Sequence, residues 1–302
     1  MLKVAITGST GLVGPKIIDL LLRENYAVTQ ISRQEALKGD VQTPLIVWDP
    51  ARGQLDSNAL EGFDIIIHLA GTNVGDAWSP ARKKSILDSR VNGTRLLSRT
   101  IASLKQKPKL LICASAIGYY GNCSANDVLD EGSPKGQGFL PDVCWQWEFE
   151  TKPAQEAGVR VVHMRIGVVL SKAGGALAKM WMPFQLGLGG VLGHGRQMLS
   201  WVALDEIPSI ISFIIKNEKI AGPVNVVAPN PVSNREFTKV LGKVINRPVI
   251  FPVPGFAIRM LFGEMGQSLL LEGSKVLPKK LLDAGYRFKY PDIGSALEKA
   301  VL

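Results

Sequence analysis

The chain has 302 residues, 46% of them hydrophobic and 20% charged, enough to bury a sizeable core in one large domain or two unequal ones. Lys+Arg 35 against Asp+Glu 26 leaves +9, but the basic residues are dispersed, with small clusters only at Arg82-Lys83-Lys84 and Lys279-Lys280, so an anionic small molecule is expected rather than a nucleic acid. The apolar runs are far shorter than the ~18 residues of a membrane span, and three scattered cysteines (Cys113, Cys123, Cys144) and three scattered histidines (His68, His163, His194) argue against a disulfide framework or a metal site.

The N-terminus MLKVAITG passes from one lysine into a strand with no cleavage site, which implies a cytoplasmic protein. KVAITGSTGLVGPKIIDLLLREN then predicts a buried strand over Val4–Thr7 and a helix over 15–23, with Gly8, Gly11 and Gly14 between them. The first glycine permits the turn out of the strand. The second lets backbone approach a pyrophosphate, and the third lets helix and strand pack closely. Gly8, Thr10, Gly11, Leu12, Val13 and Gly14 are therefore candidate cofactor-binding residues. The next strand, AVTQIS, ends at Ser32-Arg33. An acid there would bind the free 2′-hydroxyl of NAD; a serine that donates and an arginine that pairs with phosphate favour NADP(H).

FDIIIHLAGTNV (63–74) predicts another buried strand, running into Leu69-Ala70-Gly71, small residues against which a nucleotide can lie. A helix is expected over SRVNGTRLLSRTI (89–101) and a strand over KLLICASAIGYYG (109–121). With the glycine turn, and with VVHMRIGVVLS (161–171) and GRQMLSWVALDEI (195–207) further on, these segments resemble the extended short-chain dehydrogenase/reductase superfamily. The SAIGYYG, PFQLGLGGVLGHGRQMLSW and LLEGSKVLPKKLLDAGYRFKYPDI segments are similar to its uncharacterised epimerase-like subgroup, within the NAD-dependent epimerase/dehydratase group. The resemblance implies a doubly wound parallel α/β sheet, the Rossmann fold. It adds Arg90 and Val168 to the residues at the cofactor. Some relatives in the subgroup are labelled cell-division inhibitor homologues, which implies a protein partner as an alternative to catalysis.

GFLPDVCWQWE (138–148) falls where that superfamily carries its Y-x-x-x-K helix. Counting back from Arg165 places Glu148 at the glutamate position, Cys144 at the lysine position and Leu140 at the tyrosine position. Leucine has no proton and a neutral cysteine no positive charge, so the Ser-Tyr-Lys site is degenerate and this helix is read as packing. The superfamily's hydroxyl position lands on Ala116, one residue after Ser115. Ser115, Tyr119 and Tyr120, at the end of the strand facing the nicotinamide, are the replacement catalytic candidates, with His163 and Asp205 able to approach from neighbouring segments.

Beyond this, GALAKMWMPFQLGLGGVLGHG (175–195) predicts a helix and a glycine-rich loop, a helix starts near Asn234, and RPVIFPVP predicts a strand. The last part of the chain predicts helices broken at Gly273 and Gly285, with a final one after Pro291. The expected organisation is a dinucleotide-binding domain over 1–170, with 196–228 folding back onto it. A smaller C-terminal α/β substrate domain is expected over 171–195 and 229–302. The resulting expectation is an NADP(H)-binding oxidoreductase or epimerase acting on a small polar substrate, plain or nucleotide-linked; the alternative is a regulatory cofactor-binding protein acting through a protein partner.

Overall fold

The structure is a computed structural model and describes residues 1–33 and 43–301. Its main sheet has eight strands: β1 (Lys3–Thr7), β2 (Ala27–Ser32), β3 (Leu45–Asp49), β4 (Gln54–Leu55), β5 (Ile65–His68), β6 (Leu110–Ala116), β7 (Arg160–Ile166) and β8 (Gly222–Val226), in the order β8-β7-β6-β5-β1-β2-β3-β4. All neighbours are parallel except the β3–β4 pair. The chain moves outward from β1 through β2 to β4, then returns to the other side of β1 at β5. The order therefore reverses between β1 and β5, the point at which open α/β sheets bind ligands beyond their strand ends.

Both faces of this sheet are covered, which is why its strands read as continuous apolar runs rather than alternating ones. Val4, Ile6, Ile65, Ile67 and Ile112 point to one face, where they meet α1 (Gly14–Arg23) through Ile17, Ile18 and Leu21. A helix over Glu206–Lys216 joins them there through Ile207, Ile210, Ile211 and Ile214. Ala5, Ile31, Ile66 and Leu111 point the other way, onto Leu97 and Ile101 of α2 (Pro80–Ser103). A separate cluster gathers Leu177 and Phe184 of the helix Gly175–Gln185, Phe237 and Leu241 of Asn234–Val244, and Leu297 and Val301 of Ile293–Val301 around Trp201.

Three sequence expectations are corrected. β3 has no counterpart in the sequence reading, because Pro44 and Pro50 frame its five residues like a loop. Helix α2 starts at Pro80, well before the apolar run at 89–101, because Ser79 accepts a hydrogen bond from the Arg82 N–H and Pro80 sits at the first position. RPVIFPVP forms no strand. Pro248, Pro252 and Pro254 remove the donors a ladder needs, and a single bridge, Leu192 to Val253, remains.

Candidate functional site

At the end of β1, Gly8 has φ of +69°, and a Cβ there would lie 2.7 Å from the carbonyl carbon of Leu69. A Cβ at Gly14 would lie 2.6 Å from the Gly8 oxygen, so the helix start presses directly on the turn. The Gly11 N–H donates to the Gly8 oxygen at 3.1 Å and tightens that turn. The residue before α1, Val13, caps nothing with its side chain, which leaves the helix's first amides open to an anion.

The opposite wall is fixed by a buried relay. Thr7 Oγ1 accepts from the Leu69 and Ala70 N–H groups at 3.1 and 3.2 Å and lies 2.7 Å from His68 Nδ1, while His68 Nε2 lies 3.0 Å from Thr94 Oγ1. With both lone pairs of Thr7 taken, its hydroxyl donates to Nδ1, which makes the Nε2–H tautomer the donor to Thr94. Burial pushes the His68 pKa down to about 4, and a proton on Nδ1 would face no acceptor.

These walls enclose a cleft lined by Gly8, Thr10, Gly11, Leu69, Ala70 and Gly71, with Ser32 and Arg33 at its rim. Ser9, Trp48, Asp49, Asp88, Ser89 and Asn92 also line it and were missed by the sequence reading. Trp48 and Asp49 belong to the strand that proline framing concealed; Asn92 lies on a helix already recognised, and its orientation was the only missing fact. Asp49 is an acid near the cleft, but Oδ1 accepts from the Ala51 and Arg52 N–H groups and so closes a local turn. Leu12, Val13, Gly14, Arg90 and Val168 stand outside this lining. Leu12 packs at Gly174, Val13 against the core, and Val168 pairs with Trp201 in a short parallel ladder.

Two of the three catalytic candidates, Ser115 and Tyr120, meet in one hydrogen-bonded chain. The Ser115 hydroxyl donates to Glu148 Oε1 at 2.7 Å, and Arg165 donates to both Glu148 oxygens at 2.8 and 2.9 Å. Arg165 also donates to the Tyr120 hydroxyl at 3.0 Å, which in turn donates to Asn225 Oδ1 at 2.7 Å. Burial pushes the Tyr120 pKa up to about 12. Burial lowers that of Arg165, but the Glu148 hydrogen bonds and charge outweigh it and raise the net value. Tyr119 differs. Arg165 lies over its ring, 3.5 Å from the centroid, and its hydroxyl makes no hydrogen bond among the described residues.

Cys144 is buried and its thiol is pushed up to about 12 by burial, so it is no nucleophile at neutral pH. Trp147 is buried between the sheet and α2, as a packing helix requires. His163 and Asp205 serve elsewhere: His163 meets Thr151 at 2.8 Å, and Asp205 pairs with Lys16 at 3.2 Å. No group of His, Cys, Asp and Glu that could hold a metal occurs among the described residues, and no helix among them is long and apolar enough to cross a membrane.

A parallel sheet whose strand order reverses beside a glycine turn that opens onto an uncapped helix defines a dinucleotide-binding α/β protein. Residues 4–140 match the NAD dependent epimerase/dehydratase family, and residues 253–300 match a domain of unknown function, DUF1731. An epimerase family protein of Mycobacterium bovis is 41% identical over 295 residues, covering 97% of this chain and 96% of that one. The human epimerase family protein SDR39U1, solved with NADPH, superposes with a TM-score of 0.88 at 31% identity and 99% coverage of both chains. A nucleoside-diphosphate sugar epimerase from Corynebacterium glutamicum superposes with a TM-score of 0.80 at 35% identity, over 99% of this chain and 58% of that one. The chain belongs to the epimerase family.

Proposed function

We propose that the chain binds NADP(H) in this cleft and is an oxidoreductase or epimerase acting on a small polar, nucleotide-linked substrate. The observation that carries the cofactor choice is the end of β2, where Ser32 and exposed Arg33 stand at the rim in place of an acid. The human relative solved with NADPH supports the same choice. Backbone amides of the Gly8–Gly14 turn would hold the pyrophosphate, Arg33 the 2′-phosphate, and Leu69-Ala70-Gly71 the adenosine side of the cofactor. When bound, the nicotinamide supplies the hydride chemistry.

With leucine and cysteine at the positions of the superfamily's tyrosine and lysine, the proton must be handled by another group. Ser115 and Tyr120 spend their hydroxyl protons on Glu148 and Asn225. That leaves Tyr119, backed by Arg165, as the phenol that would hold or pass a proton at a substrate oxygen. Residues 171–195 and 229–302 are read as the substrate-side domain, and the nucleotide-sugar class rests on the Corynebacterium relative. A panel of nucleotide sugars mixed with the NADPH- and NADP⁺-loaded protein, followed at the nicotinamide absorbance, tests this. Turnover that falls at least about a hundredfold in Tyr119→Phe supports it; no turnover with any member removes it.

The spent hydroxyls favour a second reading, in which the bound cofactor orders the protein for a macromolecular partner. Capture of a partner that depends on NADPH, with no turnover, would select it.

A further inference from the structure

Residues 255–271 form a flap whose two arms pack on each other. The outgoing arm is the helix Gly255–Gly266, kinked at Gly263, where φ is +56° and ψ −138°. The return arm is a turn of π-helix, Gln267–Leu271. A Cβ on Gly266 would lie 2.7 Å from the Phe262 Cβ and 2.9 Å from the Ile258 oxygen, so any side chain there would drive the arms apart. Ile258 and Met265 are buried, while Phe256, Met260 and Leu261 are left exposed.

At its base the flap is fixed. The Gly193 N–H donates to the Val253 oxygen at 2.8 Å, Gln197 Nε2 to the Leu270 oxygen at 2.9 Å, and the Cys123 N–H to the Gly273 oxygen at 3.1 Å. At its tip, both carboxylate oxygens of Glu264 accept from Lys83 Nζ at 2.7 Å. Among the described residues, no other hydrogen bond or ion pair joins 255–269 to the rest of the chain. Lys83 belongs to α2, whose Ala81, Lys84, Ser85 and Asp88 line the cofactor cleft. Its ammonium also lies 4.8 Å from the ring centre of Phe139, the first residue of α3 (Phe139–Phe149). The Cβ of the next residue, Leu140, would meet a Cβ on Gly118 at 3.4 Å, so the tip is held on one side of the turn 117–120 that carries Tyr119. Gly273 is held on the other side, by Asn122 and Cys123. The flap thus reaches across that turn, and its tip depends on one partly exposed ion pair.

Resting on the NADP(H) reading above, we propose that residues 255–271 are a lid over Tyr119 and the nicotinamide position, latched closed by Lys83 and Glu264. Closed, the lid keeps water from the phenol and from the nicotinamide end of the cleft. Open, it admits substrate and lets the cofactor leave. A segment with few buried contacts and one weak tie is the part of a fold that opens first. A pair this exposed shifts the balance between closed and open by roughly fivefold, weak enough to break on every cycle. The lid also gives a role to part of the segment that matches the domain of unknown function.

Two measurements test this. One is hydrogen exchange across 255–271 in the free protein. The other is ligand release by stopped-flow fluorescence: NADPH into excess NADP⁺, and 2′,5′-ADP, which lacks the nicotinamide half, into excess NADPH. Glu264→Lys and Lys83→Glu should each speed exchange in the flap and NADPH release by about fivefold, and the double reversal should return both to within about twofold of the parent. The two single changes move the net charge in opposite directions, so a mere effect of charge on an anionic ligand would give opposite signs. Release of 2′,5′-ADP should stay within about twofold in every variant, because it does not reach the lid. Unchanged exchange or unchanged NADPH release in the single reversals, opposite signs between them, equal acceleration of both ligands, or no recovery in the double reversal would each overturn the proposal. If a reversed charge unfolds the protein, Glu264→Gln decides instead: faster exchange confined to 255–271 supports the latch, and an unchanged pattern removes it. A parent protein that binds neither ligand would overturn the NADP(H) reading, while the exchange measurement would still judge the latch.

Discussion

Glu148 accepts the Ser115 hydroxyl at 2.7 Å while Arg165 grips the same carboxylate through Nε and Nη2 at 2.8 and 2.9 Å. The pair is nearly sealed from water, with side-chain exposure of 4% for Arg165 and 11% for Glu148. It ties the end of β6 to α3 and β7. Replacing Glu148 by alanine leaves a buried guanidinium without its counter-charge and should cost about 3–5 kcal/mol in urea unfolding. A loss below about 1 kcal/mol would mean that water enters and solvates Arg165.

Arg33 stands at the cleft rim with no acid at the end of its strand. NADP(H) should bind at least about tenfold more tightly than NAD(H), about 1.4 kcal/mol. Arg33→Ala should remove most of that margin by weakening NADPH and leaving NADH nearly unchanged. Equal affinities for both cofactors in the parent would show that the rim does not read the 2′-phosphate.

His68 titrates at about 4 in the folded chain, below its ordinary value of about 6.5. Between those two values the unfolded chain binds more protons, so stability falls as pH drops through that window and is fully present above about 6.5. The loss should be on the order of 2–3 kcal/mol between pH 7 and pH 4.5, read from urea midpoints. His68→Gln should flatten that slope. His163, whose pKa burial also lowers, contributes a slope of the same sign. An unchanged pH profile in His68→Gln would sink the assignment.

Cys144 and Trp147 share α3 but should respond differently. Cys144→Ala removes one buried sulfur and should cost about 1 kcal/mol, with NADPH affinity intact. Trp147→Ala empties a buried ring site and should cost about 3–5 kcal/mol. It should also loosen Arg90, which rests on that ring. A large fall in NADPH affinity in Cys144→Ala would mean that the thiol itself contacts the cofactor.

What the sequence determined by itself was whatever depends on neighbours along the chain. The strand at Val4–Thr7, the glycine spacing and the helix after it were legible because turn geometry and apolar runs are local, and the position of Leu140 and Cys144 within α3 followed from counting. Tertiary structure decided what depends on elements far apart in sequence. β3 shows itself as a strand only by pairing with β2, and it brings Trp48 and Asp49 to the cleft. Ser115 and Tyr120 looked like proton donors in SAIGYYG, yet their hydroxyls are claimed by Glu148 and by Asn225, which lies 105 residues from Tyr120. Arg90 and Trp147 meet only because α2 and α3 pack on the same side of the sheet. A hydroxyl's chemistry is set by which partner takes its proton, and that partner is chosen by packing rather than by spacing.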